Sequence, residues 1–352
     1  MVSVAGLIKE MPEGYERACY EEKAIQRKRG ITTPGDLMML SLFHLLNGCS
    51  LVEVSTIASL AELGEISDVA FMKRFAKCND WFKRIISEIV TGGAITYEKP
   101  EWLANYRVIA DDASDVTEKG RSKRTYRLHY ALDLFKMESL QYKITTQKTG
   151  ETMLNFTVEP NDLFIGDRAY GTANGMEYCL NSGGNFVFRL KKNCMKLYDG
   201  DGKTIDLLPH LKSLNDDEAL NLNVFFEGND HSKIPVRVCA IRKTAENIAL
   251  TKKKLHRKES RKQRKIADAT KEFNEYIVLI TALPDEITSV QILELYRLRW
   301  QVEIYFKRLK SILDFGELPK RRHESVMAWL NGKLMIALLI EKMIGTAVFP
   351  PV

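Results

Sequence analysis

Hydrophobic positions recur at helical spacing through the first hundred residues, and strand-like runs take over after that. Thr33 and Pro34 place a cap and a first-turn proline before the apolar run Leu37 to Leu46, which predicts a helix there. Ser50-Leu51-Val52-Glu53 is a capping box that opens a second helix towards Leu60. Ser67 or Asp68 caps a third, with Val69, Met72 and Phe75 on one side and Lys73, Arg74 and Lys77 exposed. Asn79-Asp80 begins a fourth carrying Trp81, Phe82, Ile85, Ile86 and Ile89. Short helices with basic faces suit helix-turn-helix DNA binding and suit a plain helical bundle equally well.

From Tyr106 the pattern is different. Tyr106 to Ala110 is a short strand ending in Asp111-Asp112, and Tyr126 to Leu134 and Leu140 to Thr146 are further strands. Leu163 to Ile165 ends in Gly166-Asp167-Arg168, and a helix from about Thr172 to Leu180 leads to a strand from Asn185 to Leu190. Three strands, a strand, a helix and a strand predict an α/β core with a mixed sheet. Residues 191–273 interrupt it with a turn at Asp199 to Gly202, strands at Leu220 to Phe226 and Ile234 to Ile241, and a basic stretch. Tyr276 to Thr281 is a buried strand, and a long helix is expected from about Thr288 to Leu313. The chain thus divides into a helical part (1–100), a first core part (101–190), a β-rich insertion (191–273) and a second core part with C-terminal helices (274–352).

Composition narrows the class. With 352 residues, 45% hydrophobic and 28% charged, the chain is an ordinary globular one. Its longest apolar runs fall far short of the ~18 residues that span a bilayer. Glu10, Glu13 and Glu16 stand where a signal peptide needs an apolar stretch, so a soluble cytoplasmic protein is expected. The six cysteines are scattered without a CxxC pair, which argues against a disulfide framework or a structural zinc site.

Net charge is +6, and nine Lys or Arg against one Glu between Lys252 and Lys265 contribute +8 of it, leaving −2 elsewhere. A concentrated basic segment on a near-neutral body fits a polyanionic partner, although a solvated charged helix or linker has the same composition.

Candidate chemistry lies with three carboxylates. Asp112 and Asp167 end predicted strands, where a rigid backbone displays a side chain, although a lone aspartate there is usually a turn former. A third acid, Glu303, would complete an oxygen-only set suited to Mg²⁺ or Mn²⁺. On the long helix, Tyr296, Arg299, Glu303 and Lys310 are spaced 3, 4 and 7 apart and share one face. An acid flanked by cations fits a site gripping a phosphate backbone, and it also fits an exposed helix with i, i+4 pairs.

Tyr296-x2-Arg299-x3-Glu303-x6-Lys310 resembles the YREK signature of DDE transposases of the insertion-sequence-four family. Gly166-Asp167-Arg168-Ala-Tyr170-Gly171, the stretch Phe186 to Lys191, and Ile109 to Ser114 are similar to that family too, as is Ile66 to Arg74. The resemblance runs from about residue 30 to 340. It implies an RNase H-like core split by a β-rich insertion, with Asp112, Asp167 and Glu303 holding two Mg²⁺ ions (Mn²⁺ substituting) for hydrolytic nicking and strand transfer by a DNA 3′-hydroxyl. Strand alternation lets one of Asp111 and Asp112 face the metals, and Asp112 fits the family's Asp-x-Thr/Ser pattern. The resemblance also implies that Tyr296, Arg299 and Lys310 contact terminal DNA phosphates.

The expected protein is a transposase acting on the inverted-repeat ends of its own element and on target DNA. It is expected to work as a homodimer in the DNA complex, away from membranes and nucleoid-associated when bound. The N-terminal helices would supply specific DNA affinity. Lys252, Lys253, Lys254, Arg257, Lys258, Arg261, Lys262, Arg264 and Lys265 would supply nonspecific affinity. A DNA-binding relative without catalysis and an RNase H-like nuclease are the alternatives.

Overall fold

The computed structural model describes residues 3–91, 98–118, 125–136, 138–312, 317–318 and 322–346. The first part is helical: α1 (Val4–Lys9), α2 (Tyr15–Glu21), α3 (Pro34–Leu46), α4 (Leu51–Leu60), α5 (Asp68–Ala76) and α6 (Asn79–Thr91). The expected caps are in use. Thr33 Oγ1 accepts the Asp36 N–H at 3.1 Å. At α4, Ser50 Oγ accepts the Glu53 N–H at 3.2 Å while the Glu53 carboxylate accepts the Ser50 N–H at 2.6 Å, closing the box. Ser67 caps α5, whose buried face is Phe71 and Phe75; Val69, expected inside, is 50% exposed. Both phenylalanine rings meet His44 of α3 edge-on, at 6.1 and 5.2 Å between centroids.

Then follow β1 (Arg107–Glu118), β2 (Thr125–Asp133), β3 (Glu138–Thr146), β4 (Asp162–Gly166), α7 (Ala173–Asn181) and β5 (Asn185–Arg189). The next segment holds β6 (Leu197–Tyr198), α8 (Leu207–Lys212), β7 (Ala219–Glu227), β8 (Lys233–Arg242), α9 (Ala245–Lys262) and α10 (Asp268–Phe273). The chain continues with β9 (Tyr276–Thr281), α11 (Ser289–Arg297), α12 (Trp300–Ile312), β10 (Glu317–Leu318) and α13 (His323–Thr346).

The sheet runs β3-β2-β1-β4-β5-β9-β8-β7-β6, with β10 beside β1. β2 is antiparallel to both β1 and β3, and β1, β4 and β5 are parallel, which is the RNase H-like arrangement. β9 joins β5 antiparallel, and β8 and β7 continue from it, so the inserted strands extend the core sheet. One face carries Val108, Ala110, Leu163 and Ile165 into a core shared with Tyr296, α13 and the N-terminal helices. The other carries Ile109, Phe164, Phe186 and Phe188 into a second core with Tyr170 and Leu211. Full burial of one such large apolar side chain contributes about 1.5–3 kcal/mol. Among the described residues, no helix is long and apolar enough to cross a membrane.

Two expectations are corrected. β1 does not stop at Asp112: it keeps pairing with β2 from Asp111–Ala131 to Thr117–Thr125, because ladder hydrogen bonds need no apolar side chains. The single long helix is two. Leu298, Arg299, Gln301 and Val302 each donate to the carbonyl three residues back, at 3.0–3.2 Å, a 3₁₀ tightening between α11 and α12. The expected end at Leu313 lies outside the described residues.

Candidate active site

Parallel pairing of β1 with β4 matches Arg107 to Asp162 and Ala110 to Ile165. Asp112 and Asp167 each follow the last residue paired between these two strands, Ala110 and Ile165, by two positions. Alternation then separates the neighbouring acids. Asp111 points to the face of Tyr170 and Phe188, and its Oδ1 lies so close to Gly166 that a Cβ there would be 2.8 Å away. It is fully buried, and neither of its carboxylate oxygens has a hydrogen-bond partner. Burial, then the Asp112 and Asp167 carboxylates, push the Asp111 carboxyl well above the usual range.

Asp112 is half-buried on the face of Val108 and Ala110, the side on which α12 packs against β1. Its Oδ1 accepts the Ala113 N–H at 2.8 Å. Burial first, and then Asp167 and Glu303, push its carboxyl up to about 6, against the Ala113 N–H and Arg299. Asp167 Oδ1 accepts the Ala169 N–H at 2.6 Å, which fixes the turn after β4.

Glu303 lies on the first turn of α12, where Arg299 Nη2 donates to its Oε1. The 3₁₀ step brings Tyr296 and Arg299 nearly into line, and the guanidinium carbon sits 5.6 Å from the Tyr296 ring centre. Tyr296 is buried, and neither its hydroxyl nor Arg299 Nε has a partner. The sequence-predicted set of Asp112, Asp167, Glu303, Tyr296 and Arg299 therefore comes together around one site. Lys310 does not join it: it is exposed on the last turn of α12, about 10 Å along the axis from Glu303.

Asp167, Glu303, Tyr296 and Arg299 line a cleft of about 880 Å³ whose opposite wall is α9 and the end of β8. Lys254 is the one member of the predicted basic run on that wall. Lys252 pairs with Glu275 at 2.8 Å, and Lys253, Arg257, Lys258, Arg261, Lys262, Arg264 and Lys265 are exposed elsewhere on α9 and just after it.

Five further cations line the cleft: Arg168, Arg189, Arg242, Lys243 and Arg297. Burial, then Arg189, lower Arg168 to about 10, and burial, then Arg189, Arg168 and Lys254, lower Lys243 to about 8. The Nε atoms of Arg168 and Arg189 are buried without a partner. Arg168 and Arg189 stand in the blocks that carry the family resemblance and were open to assignment from sequence. Lys243, a single lysine after a strand, gives no such signal.

An oxygen-only set with mutually repelling carboxylates is the donor chemistry of a hard divalent cation, and these residues fit one. Among the described residues, no three Asp, Glu, His or Cys side chains form, as they stand, a group that could hold a metal ion. Arg299, gripping Glu303, supplies positive charge at the edge of the acids.

The Transposase DDE domain family profile matches residues 103–339, more than half of the chain. The chain is 27% identical over 348 residues to the transposase for insertion sequence element IS421 of Escherichia coli, covering 97% of this chain and 93% of that one. InsL of insertion sequence element IS186A from E. coli K12 matches at 27% over 347 residues with the same coverage. The transposase for IS231F of Bacillus thuringiensis subsp. israelensis matches at 29% over 208 residues, 54% of this chain and 43% of its own length. The chain belongs to the DDE transposase family. It is a transposase of the insertion-sequence kind, an enzyme that acts on DNA and depends on a divalent metal.

Proposed function

We propose that the protein binds the terminal inverted repeats of an insertion sequence, cleaves them and joins the 3′ ends to target DNA by a cut-and-paste route. Asp112, Asp167 and Glu303 hold the metal, which is Mg²⁺ with Mn²⁺ able to substitute. Held by these three carboxylates, a divalent metal would supply activation of the attacking water or 3′-hydroxyl and charge stabilisation for the leaving oxygen of the phosphodiester. What supports this reading is that Asp112 and Asp167 each follow the β1–β4 pairing by two residues, while α12, which carries Glu303, packs against β1.

Arg168, Arg189, Lys243 and Lys254 bind backbone phosphates across the cleft. Tyr296 and Arg299 orient the phosphate at the cut, and Lys310 and the exposed cations of α9 extend the electrostatic track. A phosphate that takes the Arg299 guanidinium releases Glu303 towards the two aspartates. Two ends must be held together, so the working assembly is a homodimer on DNA, in the cytoplasm and on the nucleoid.

The test is supercoiled plasmid carrying the gene with its native flanks, incubated with protein and Mg²⁺ beside a Glu303→Gln control. Cuts at the flanks that vanish in the control support the assignment. Absence of cutting by well-folded wild-type protein in both Mg²⁺ and Mn²⁺ overturns it.

A further inference from the structure

A second basic surface lies on the N-terminal helices. Arg27, Lys28 and Arg29 are consecutive and exposed between α2 and α3. Arg74 of α5 pins the backbone beneath them: Nη1 donates to the Ile31 carbonyl at 2.7 Å, and Nη2 donates to the Arg27 and Arg29 carbonyls at 3.0 Å each. Arg74, expected to be a solvated cation, is a staple. Lys77 Nζ donates to Gln26 Oε1 at 3.1 Å, tying the loop to the end of α5 as well.

The loop is also fixed against the α4–α5 turn by backbone alone. The Glu65 N–H donates to the Gly30 carbonyl at 3.2 Å. A Cβ on Gly64 would lie 2.1 Å from that oxygen, and one on Gly30 would lie 2.6 Å from the Glu65 oxygen. Both glycines have positive φ, +136° and +76°, so neither position accepts a side chain without moving the other segment. Three cations are thereby held in one place relative to α5.

The outward face of α5 completes the surface. Val69, Ala70, Lys73 and Lys77 are exposed, and 69, 73 and 77 form one stripe at four-residue spacing, while Phe71 and Phe75 anchor the helix from behind. The nearby acids lie in the turn and at the first position of α5. Glu65 accepts the Ser59 hydroxyl at 2.9 Å, Asp68 accepts the Val69 N–H at 2.7 Å, and Glu62 is exposed in the turn. The exposed stripe of Val69, Lys73 and Lys77 is therefore the face turned to a polyanion. A rigid nine-residue helix with small and basic outward residues, flanked by fixed cations, matches the major groove and the phosphates beside it.

We propose that α5 is the sequence-reading helix: Val69, Ala70 and Lys73 meet base edges in the major groove, and Arg27, Lys28 and Arg29 grip the neighbouring phosphates. The inference rests on the reading that this chain recognises the ends of its own element.

The experiment measures binding of the full chain by fluorescence anisotropy over a salt series. The probes are duplexes copied from the two borders of the gene's native locus and a scrambled duplex of equal composition. A Val69→Gln/Lys73→Gln variant should lose about tenfold or more for border duplexes and change little for the scrambled one. An Arg27→Ala/Lys28→Ala/Arg29→Ala variant should weaken binding to all duplexes and flatten the log–log salt slope by up to about 2.7, at ~0.9 per phosphate neutralised. Far-UV circular dichroism and melting should match wild type for both, since the altered side chains are exposed.

An unchanged border-to-scrambled ratio in the first variant, with wild type discriminating, overturns the role of α5. An unchanged salt slope in the second overturns the role of the loop. Wild-type protein that does not discriminate borders from scrambled DNA overturns the underlying reading along with this one.

Discussion

Replacing Asp112 with asparagine removes one charge from the crowded carboxylates while keeping the side chain's shape and its oxygen for the Ala113 N–H. The Asp112 carboxyl is raised from 3.8 to about 6 in the folded protein, chiefly by burial. Two pH units at ~1.36 kcal/mol each mean that ionised Asp112 costs the native state up to about 3 kcal/mol. The folded value lies above the unfolded one, so the fold gains by holding the proton. That gain is complete below pH 3.8, shrinks as pH rises through about 6, and is absent beyond it.

Asp112→Asn is neutral throughout and escapes this loss. In chelator at pH 8 the variant should be more stable than wild type by up to about 3 kcal/mol, and near pH 4 the two should converge. At roughly 2–4 °C per kcal/mol for a large domain, the pH 8 difference is several degrees of melting temperature. Urea titration and scanning calorimetry at both pH values measure it, and added Mg²⁺ should narrow the gap by stabilising wild type. A variant no more stable than wild type at pH 8, or one that gains equally at both pH values, would refute the claim that uncompensated charge strains the site.

Arg299→Ala should lower end-DNA binding or cleavage about tenfold or more, the worth of one charge-assisted hydrogen bond, with unchanged circular dichroism; wild-type activity would remove its phosphate role. Ser50→Ala should cost about 1 kcal/mol by opening the α4 capping box, read as a shifted urea midpoint at constant slope. Gly166→Ala sets a methyl 2.8 Å from Asp111 Oδ1 and 3.0 Å from Phe188 and Tyr170, so a loss of about 1–3 kcal/mol is expected, and a neutral result would mean that the strand ends yield freely. Changing Lys253, Arg257, Lys258 and Arg261 to Gln should reduce the salt slope of DNA binding by ~0.9 for each phosphate no longer neutralised, without altering nicking at saturating protein.

The helix starts were legible because caps are local: Thr33, Ser50 and Ser67 act within three residues of themselves. The candidate site could be named for a different reason: Asp112, Asp167 and Glu303 stand in blocks whose spacing resembles a known signature. What escaped depends on partners distant in sequence. Nothing in Tyr276 to Thr281 says that it lies between β5 and β8, because an all-apolar run suits any buried strand. α9 buries no residue and so shows no apolar stripe by which to read it as a helix. The break at Leu298–Arg299 carries no glycine or proline, and Val69 passed for a core residue because the true inward pair, Phe71 and Phe75, competes at the same period.

The continuity of the sheet bears on how such a protein can be altered. Because β8 is laced to β9 and β9 to β5, the stretch between residues 191 and 273 is not a cassette that can be lifted out. Excision would bare the long flank of β9, a row of unpaired amides and carbonyls beside Val278, Leu279 and Ile280, and invite other chains to stack there. Length changes between relatives should therefore collect in the turns around β6 and at the outer end of α9. Anyone wishing to retarget the enzyme by grafting has room at those tips, where a foreign module could be carried without unzipping the catalytic sheet.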